Sequence, residues 1–243
     1  MTGSPLLNAF HQSNAALLTY TVGGDPNKET SLEIFREIAQ SGADIIECGL
    51  GHGANIGDGG AIQDGTYRAL SNGIKTDDVF DIIKTLRNEF DTNVIIMTYQ
   101  NKIMSYGEDS FLSKCVESKV AGIICVDWPW PLNLNFAAKC KNNNIDFIQL
   151  LCPTTNEERL KLILNDAHDV VYYISMLSTT GQKLKVSPSE IKDRFNLIKT
   201  IAPEKKCIIG FGITEETIAD FKDTDACAVS YTHLRAHETS VNL

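Results

Sequence analysis

The chain has no run approaching the ~20 apolar residues that a membrane-spanning helix needs. No basic stretch followed by an apolar core opens it, so no secretory leader is expected. It lacks any C-x-x-C pair, and its seven cysteines (48, 115, 125, 140, 152, 207, 227) are an odd number set mostly in apolar surroundings. They read as reduced core thiols of a cytoplasmic protein rather than a disulfide framework. Positive charge is scarce: 22 Lys and Arg against 31 Asp and Glu leave a net charge of −9. That balance argues against nucleic acid or an anionic membrane as partner, whereas a small phosphorylated ligand needs only local positive potential. Linkers and low-complexity tracts are absent too. What remains is a 43% hydrophobic chain of 243 residues. It has enough apolar surface for a full core without a metal or disulfide staple, and its length suits a single large α/β domain.

Hydrophobic patterning alternates strand with helix. Residues 1–15 form a short amphipathic leader with Leu6, Leu7 and Phe10 on its apolar side. Strands are expected at Ala16 to Val22, Ala43 to Cys48, Val94 to Thr98, Gly122 to Val126, Phe147 to Leu151, Val170 to Ser175, Cys207 to Gly210 and from Ala226. Helical spacing joins Leu32, Phe35, Ile38 and Ala39, then Val79, Ile82, Ile83 and Leu86 with Thr76 as N-cap. Further helices carry Phe111, Leu112, Cys115 and Val116, and then Leu160, Ile163 and Leu164, the latter behind a capping box at Thr155 to Glu158. Ser187-Pro188-Ser189-Glu190 is a second capping box with Pro at the first helical position, and a last helix is expected from Thr214 to Phe221. Short, continuous apolar strands each followed by a helix are the mark of a parallel sheet buried on both faces. Eight such units point to a (β/α)₈ TIM barrel over residues 1–228, a single domain. A doubly wound open sheet is the competitor, disfavoured because polar, Gly-rich segments recur after nearly every strand.

One stretch carries the chemistry: ADIIECGLGHGANIGDGGAIQ at 43–63. Glu47 interrupts an apolar run, where a carboxylate is costly unless paired or used. Asp58 follows eleven residues later in a glycine-rich loop able to fold back. Two carboxyl groups in different environments give one site both an acid and a base. Taken alone, Glu47 is equally readable as an ion-paired rim carboxylate, and Asp58 as a turn residue before Gly59.

The pattern fails at the C-terminal end. VSYTHLRAHET at 229–239 resembles one reading frame of a transposon adapter used in preparing DNA sequencing libraries. Residues 229–243 are therefore read as a non-native tail that truncates the barrel within strand eight, and His233 and His237 are given no role.

Dispersed pieces occur in one order along the chain: GGDP at 23–26, GADIIECG at 42–49, DGG-x-IQ at 58–63, MTYQN at 97–101, CPTTNEERL at 152–160, YYIS and TTG within 172–181, and GFGI at 210–213. In these the chain resembles the tryptophan synthase alpha subunit. The resemblance implies a (β/α)₈ barrel that cleaves indole-3-glycerol phosphate to indole and glyceraldehyde 3-phosphate, with no cofactor or metal of its own. It also implies an α2β2 heterotetramer with a beta subunit that carries pyridoxal phosphate. Glu47 and Asp58 match the family's catalytic acids and Tyr172 its active-site tyrosine. Tyr20, Tyr99 and Phe211 match positions at the substrate's indole, Ile62 is a further substrate-binding match, and Thr180, Gly181 and Gly212 match the phosphate loops.

The chain departs from the family in places. Gly51-His52-Gly53-Ala54-Asn55 stands where the family has Pro-Phe-Ser-Asp-Pro, Gly60 replaces a Pro, and Met176 and Ser178 stand for Arg and Gly. The first departure bears on docking and signalling to the beta subunit, the last on closure of the loop after strand six. His52 is readable either as a new acid/base group or as a solvated loop residue. Two other functions are consistent with the sequence. One is a non-catalytic subunit that only activates a beta partner. The other is a different phosphate-binding barrel aldolase or isomerase, which would want a Schiff-base Lys or a metal cluster that no strand end here supplies.

Overall fold

The structure is a computed structural model that describes residues 3–11, 14–55, 57–179, 182–185, 187–210, 213 and 218–230. Thr180, Gly181, Phe211 and Gly212 lie outside the described residues, as do 214–217 of the last expected helix and the tail from 231 onward. The chain divides into two compact units, one built on Thr19–Trp128 and the other on Met1–Leu18 with Pro129–Val229. Strand β1 (Ala16–Val22) contributes residues to both.

In the unit of Thr19–Trp128, β1 leads into α1 (Lys28–Gln40). Asn27 caps that helix by accepting the Thr30 N–H at 2.9 Å, and Phe35 and Ile38 are its buried apolar residues. Gly42, at φ +91°, takes the left-handed turn that ends it. There follow β2 (Ile45–Gly49), α2 (Gly60–Ser71), α3 (Thr76–Glu89), β3 (Asn93–Thr98), α4 (Gln100–Tyr106), α5 (Glu108–Glu117) and β4 (Gly122–Cys125). The strands lie in the order β4-β3-β2-β1. The β2–β3 and β3–β4 pairs are parallel, with Glu47 opposite Ile95 and Met97 opposite Ile124.

Three details correct the sequence reading of this unit. Helix α2 was read as loop: its buried residues are Gly65, Thr66 and Ala69, while Tyr67 and Leu70 are exposed, so no apolar period marks it. The N-cap of α3 is Lys75 rather than Thr76, because the Asp78 carboxylate accepts the Lys75 N–H at 3.0 Å and starts the helix one residue earlier. The helix expected through Phe111, Leu112, Cys115 and Val116 is α5, but α4 before it was not expected, and Gly107, whose φ of +88° a helix cannot accommodate, separates the two.

The other unit begins with a 3₁₀ turn at Pro5–Ala9 that buries Leu6. Ser4 anchors it, giving its backbone N–H to Asp169 at 2.9 Å and its hydroxyl proton to Asp146. The unit continues with α6 (Leu134–Asn142), β5 (Asp146–Phe147), β6 (Gln149–Leu151), α7 (Glu157–Asp166) and β7 (Val170–Ile174). Then come β8 (Met176–Thr179), β9 (Gln182–Lys185), α8 (Pro188–Ile201), β10 (Lys206–Gly210), a 3₁₀ turn at Ile218–Phe221 and β11 (Ala226–Ser230). Strand order is β6-β7-β10-β11, and β6–β7, β7–β10 and β10–β11 pair in parallel. Leu160, Ile163 and Leu164 of α7 and Ile191, Phe195 and Ile198 of α8 pack with Val171, Tyr173, Cys207 and Ile209 in one apolar cluster.

The Ser187 capping box forms as expected: Ser187 N–H donates to Glu190 at 2.8 Å, and Ser187 Oγ accepts the Glu190 N–H at 3.3 Å. The cap of α7 is Asn156, which accepts the Arg159 N–H at 2.9 Å, so the box placed at Thr155 is one residue out. The expected fifth strand is divided at Ile148, and β8 and β9 form an antiparallel hairpin where a loop was expected. Six of the seven cysteines are buried and none is in a disulfide. No helix among the described residues is long and apolar enough to cross a membrane.

Candidate active site

Glu47 lies mid-strand in β2, every residue of which is buried, and is itself only 2% exposed. Strand alternation sends Ile46 and Cys48 to the opposite face. There the Cys48 thiol packs against the turn after β1, within 2.9 Å of where a side chain on Gly23 would begin. A carboxylate so removed from water ionises reluctantly. Burial, with the charge of Asp58 as a second cause, pushes Glu47 up to about 8 from an ordinary 4.5. At neutral pH it carries its proton.

Asp58 comes back to the same place because its loop is pinned at several points. The Gly57 N–H donates to the Tyr99 hydroxyl at 3.1 Å. The Asp58 N–H donates to the Asn55 carbonyl at 3.1 Å, and Gln63 Nε2, one turn into α2, donates to the Asp58 carbonyl at 3.0 Å. Asp58 is therefore a turn residue that nonetheless lies beside Glu47 and Tyr99. Burial raises its carboxyl above the usual range, while Asn55, a hydrogen bond from Tyr99, and His52 pull it back. The two acids thus differ as their surroundings differ: one is dry and proton-bearing, the other half-buried among donors that favour its anion.

Tyr20 and Tyr99, 6% and 3% exposed, complete this constellation. Burial raises the Tyr20 phenol well above its ordinary value, and Asp58 and Glu47 both add to the rise, so the three groups face one region. A β-carbon on Gly49 would overlap the Tyr20 hydroxyl. Glycine at the end of β2 is what lets the ring lie there. A β-carbon on Gly57 would stand 3.0 Å from Val126 Cγ1 and 3.3 Å from the Tyr99 hydroxyl, a tight fit rather than an overlap.

The loop is tied to its scaffold through α2. Arg68 makes a two-pronged pair with Asp25, Nε to Oδ1 at 2.9 Å and Nη2 to Oδ2 at 2.7 Å, and Asn72 Nδ2 donates to the Pro26 carbonyl at 2.7 Å. These contacts hold α2, and hence Asp58 just before it, against the GGDP turn that follows β1.

Of the residues singled out from sequence, Glu47, Asp58, Tyr20 and Tyr99 are brought together. Ile62 lies half-buried in the first turn of α2, four residues past Asp58. Tyr172 belongs to the unit of Pro129–Val229, where it is 2% exposed. It lies over Gly210 at the end of the neighbouring strand β10, and a β-carbon there would overlap its hydroxyl. Thr180, Gly181, Phe211 and Gly212 are outside the described residues. Sequence reasoning did not single out Gly49 or Gly57 as spacers for the two tyrosines. It named Asn55, whose buried Nδ2 makes no hydrogen bond in good geometry, only as part of the departure at Gly51–Asn55, and it passed over the Arg68–Asp25 pair. An Arg six residues past Ile62 and an Asp in a Gly-Gly-Asp-Pro turn were the available signals for the last of these. No group of three or more His, Cys, Asp or Glu among the described residues is placed to hold a metal ion.

A family model described as tryptophan synthase alpha chain matches residues 6–231. The tryptophan synthase alpha chain of Pelagibacter ubique (strain HTCC1062) is 51% identical over 219 residues, 90% of this chain and 82% of that protein. That of Petrotoga mobilis is 34% identical over 219 residues, covering 88% and 82%. Among solved structures, a chain of the tryptophan synthase α2β2 complex of Pyrococcus furiosus superimposes with a TM-score of 0.79 at 31% identity, over 90% of this chain and 88% of that one. The agreement runs through both units and through the stretch that carries Glu47 and Asp58: the chain belongs to the tryptophan synthase alpha chain family and has its (β/α)₈-barrel fold.

Proposed function

We infer that this chain is a carbon–carbon lyase of tryptophan biosynthesis, cleaving indole-3-glycerol phosphate to indole and glyceraldehyde 3-phosphate. The observation that carries the reading is the pairing of a dry, protonated Glu47 with a half-buried Asp58 in one region. Cleavage needs a proton on the indole carbon that bears the glycerol chain, a place for the positive charge this creates on the ring, and removal of the proton from the adjacent hydroxyl. Glu47 gives its proton to that ring carbon, and Asp58 accepts the hydrogen bond of the ring N–H and stabilises the cation. The Glu47 carboxylate left behind then takes the hydroxyl proton. The oxygen forms the aldehyde carbonyl, and the electron pair of the breaking bond returns to the ring, releasing indole. Glu47 is reprotonated by the same step, so no external acid is consumed.

Tyr20, Ile62 and Tyr99 serve the indole. The roles implied for Tyr172, Thr180, Gly181, Phe211 and Gly212 stand on the family resemblance. The chain works with a beta subunit in an α2β2 assembly; pyridoxal phosphate belongs to that partner, and the alpha chain needs no cofactor. Its place of work is the cytoplasm. Residues 1–228 constitute the barrel domain, and 229–243 are a foreign tail, which re-reading the coding locus past the codon for Ala228 tests. The activity is tested by measuring indole formed from indole-3-glycerol phosphate with and without the beta subunit. Release by the chain alone, stimulated by the partner, is expected. Stimulation of the partner with no indole formed in either condition would make this a non-catalytic activating subunit.

A further inference from the structure

Among the described residues, His52 is the ionisable group beside Asp58 that the lyase reading leaves without a task. It stands on the same loop, six residues before Asp58, half-buried. Its Nδ1 accepts the Ala54 N–H at 3.0 Å, which puts the proton of the neutral ring on Nε2. Its ring stacks on Tyr99 with centroids 5.0 Å apart and planes 24° from parallel, an arrangement favoured for aromatic pairs. The Tyr99 hydroxyl accepts the Gly57 N–H, and that leaves its own proton for the Asp58 carboxylate. The loop anchors of these two rings, Ala54 for the imidazole and Gly57 for the phenol, both precede Asp58 on its loop, Gly57 immediately.

We propose that His52 is a positioning residue for Asp58 that acts through Tyr99. By stacking on the phenol ring while tied to Ala54, it fixes the direction in which the Tyr99 hydroxyl meets the carboxylate. The catalytic consequence rests on the lyase reading; the positioning itself does not. Asp58 is faced by Glu47 from β2, by Tyr20 from β1 and by Tyr99 from the end of β3, and Asp127 after β4 also acts on Tyr99. Tyr99 is the donor among them. A Tyr99 ring free to tilt would leave Asp58 less well held, and its anion less favoured.

The test is a titration of the Asp58 carboxyl by carbon-13 NMR in the full chain, for wild type, His52→Ala, Tyr99→Phe and the double variant. His52→Ala is expected to raise the Asp58 midpoint by about half to one pH unit. Tyr99→Phe should raise it at least as far, and the double variant by clearly less than the sum of the two single shifts, because groups acting in series are not additive; the direct charge of His52 on Asp58 supplies what remains beyond Tyr99→Phe. His52→Phe, which keeps the ring but not the Ala54 anchor, should fall between wild type and His52→Ala. An unmoved midpoint in His52→Ala overturns the proposal. So does a His52→Ala shift that persists in full on the Tyr99→Phe background, which would mean that His52 acts on Asp58 directly by its charge. In turnover, His52→Ala should lower kcat about ten-fold with KM little changed, since Asp58 stabilises charge that develops in the transition state. A raised KM with unchanged kcat would make His52 a substrate contact and overturn the positioning role. The titration requires no turnover, so a wild-type chain that releases no indole would sink the lyase reading alone.

Discussion

Replacing Glu47 with Gln should make the protein more stable at alkaline pH while removing its activity. The folded chain holds Glu47 at about 8 against an ordinary 4.5, so folding takes up a proton between those values. Stability linked to Glu47 is therefore fully present below about 4.5 and is lost as pH rises through about 8. At about 1.4 kcal/mol per pH unit, the interval from 4.5 to about 8 sets a ceiling of about 5 kcal/mol. Water entry and local relaxation around a buried charge reduce this to a few kcal/mol. Gln has nearly the same shape and no charge to bury. Urea unfolding of wild type and Glu47→Gln, followed by far-UV circular dichroism from pH 5 to pH 9, reads the difference directly. The two should agree within about 1 kcal/mol at pH 5. The variant should gain steadily up to pH 8 and hold its advantage above that. Asp58→Asn, which removes the second cause of the Glu47 shift, should reduce the pH dependence of the wild-type background without abolishing it. A difference between wild type and Glu47→Gln that stays flat with pH would refute the argument, because it would mean that Glu47 ionises freely in the folded chain.

Other consequences follow from the packing around the site. Gly49→Ala puts a β-carbon into the Tyr20 hydroxyl; the forced shift should cost about 1–3 kcal/mol and lower kcat, and a crystal structure of an active variant with Tyr20 unmoved would contradict this. Arg68→Ala cuts a pair whose arginine is half-exposed, 49% against 15% for Asp25. Its thermodynamic cost should be at most about 1 kcal/mol, yet kcat should fall about ten-fold as α2 loosens and Asp58 drifts. Equal losses in stability and activity would deny α2 that positioning role. Ser187→Ala breaks the α8 capping box and should lower stability by about 1 kcal/mol in thermal unfolding; no change would mean that the cap is not formed in solution.

How much was legible from sequence depended on whether the signal was local. The Ser187-Pro188-Glu190 start of α8 is written in three side chains and forms as read. The strands of the main sheet were legible as largely apolar runs, with Glu47 standing out as the charge inside one, whereas the β8–β9 hairpin, with Gln182, Lys183 and Lys185, was not. Helix α2 was not, since a helix whose buried positions are Gly65, Thr66 and Ala69 shows no hydrophobic period. The caps at Lys75 and Asn156 each stand one residue from the expected place, Lys75 because the Asp78 carboxylate takes its N–H, and Asn156 because its amide oxygen rather than the Thr155 hydroxyl accepts the Arg159 N–H. Glu47, Asp58, Tyr20 and Tyr99 could be named, but the reason they fit together could not. The spacing by Gly49 and Gly57 and the stacking of His52 on Tyr99 exist only once β1, β2 and β3 lie side by side. A contact between strands leaves no mark on either strand alone.

The central claim is that Glu47, kept protonated by burial, moves the protons of the cleavage while Asp58 holds the ring. It is met most directly by a single-turnover assay of indole-3-glycerol phosphate at neutral pH, comparing wild type with Glu47→Gln. The expected result is indole and glyceraldehyde 3-phosphate in equal amounts from wild type and neither from Glu47→Gln, although the variant still binds the substrate. Indole released by Glu47→Gln at a rate near that of wild type would contradict the account.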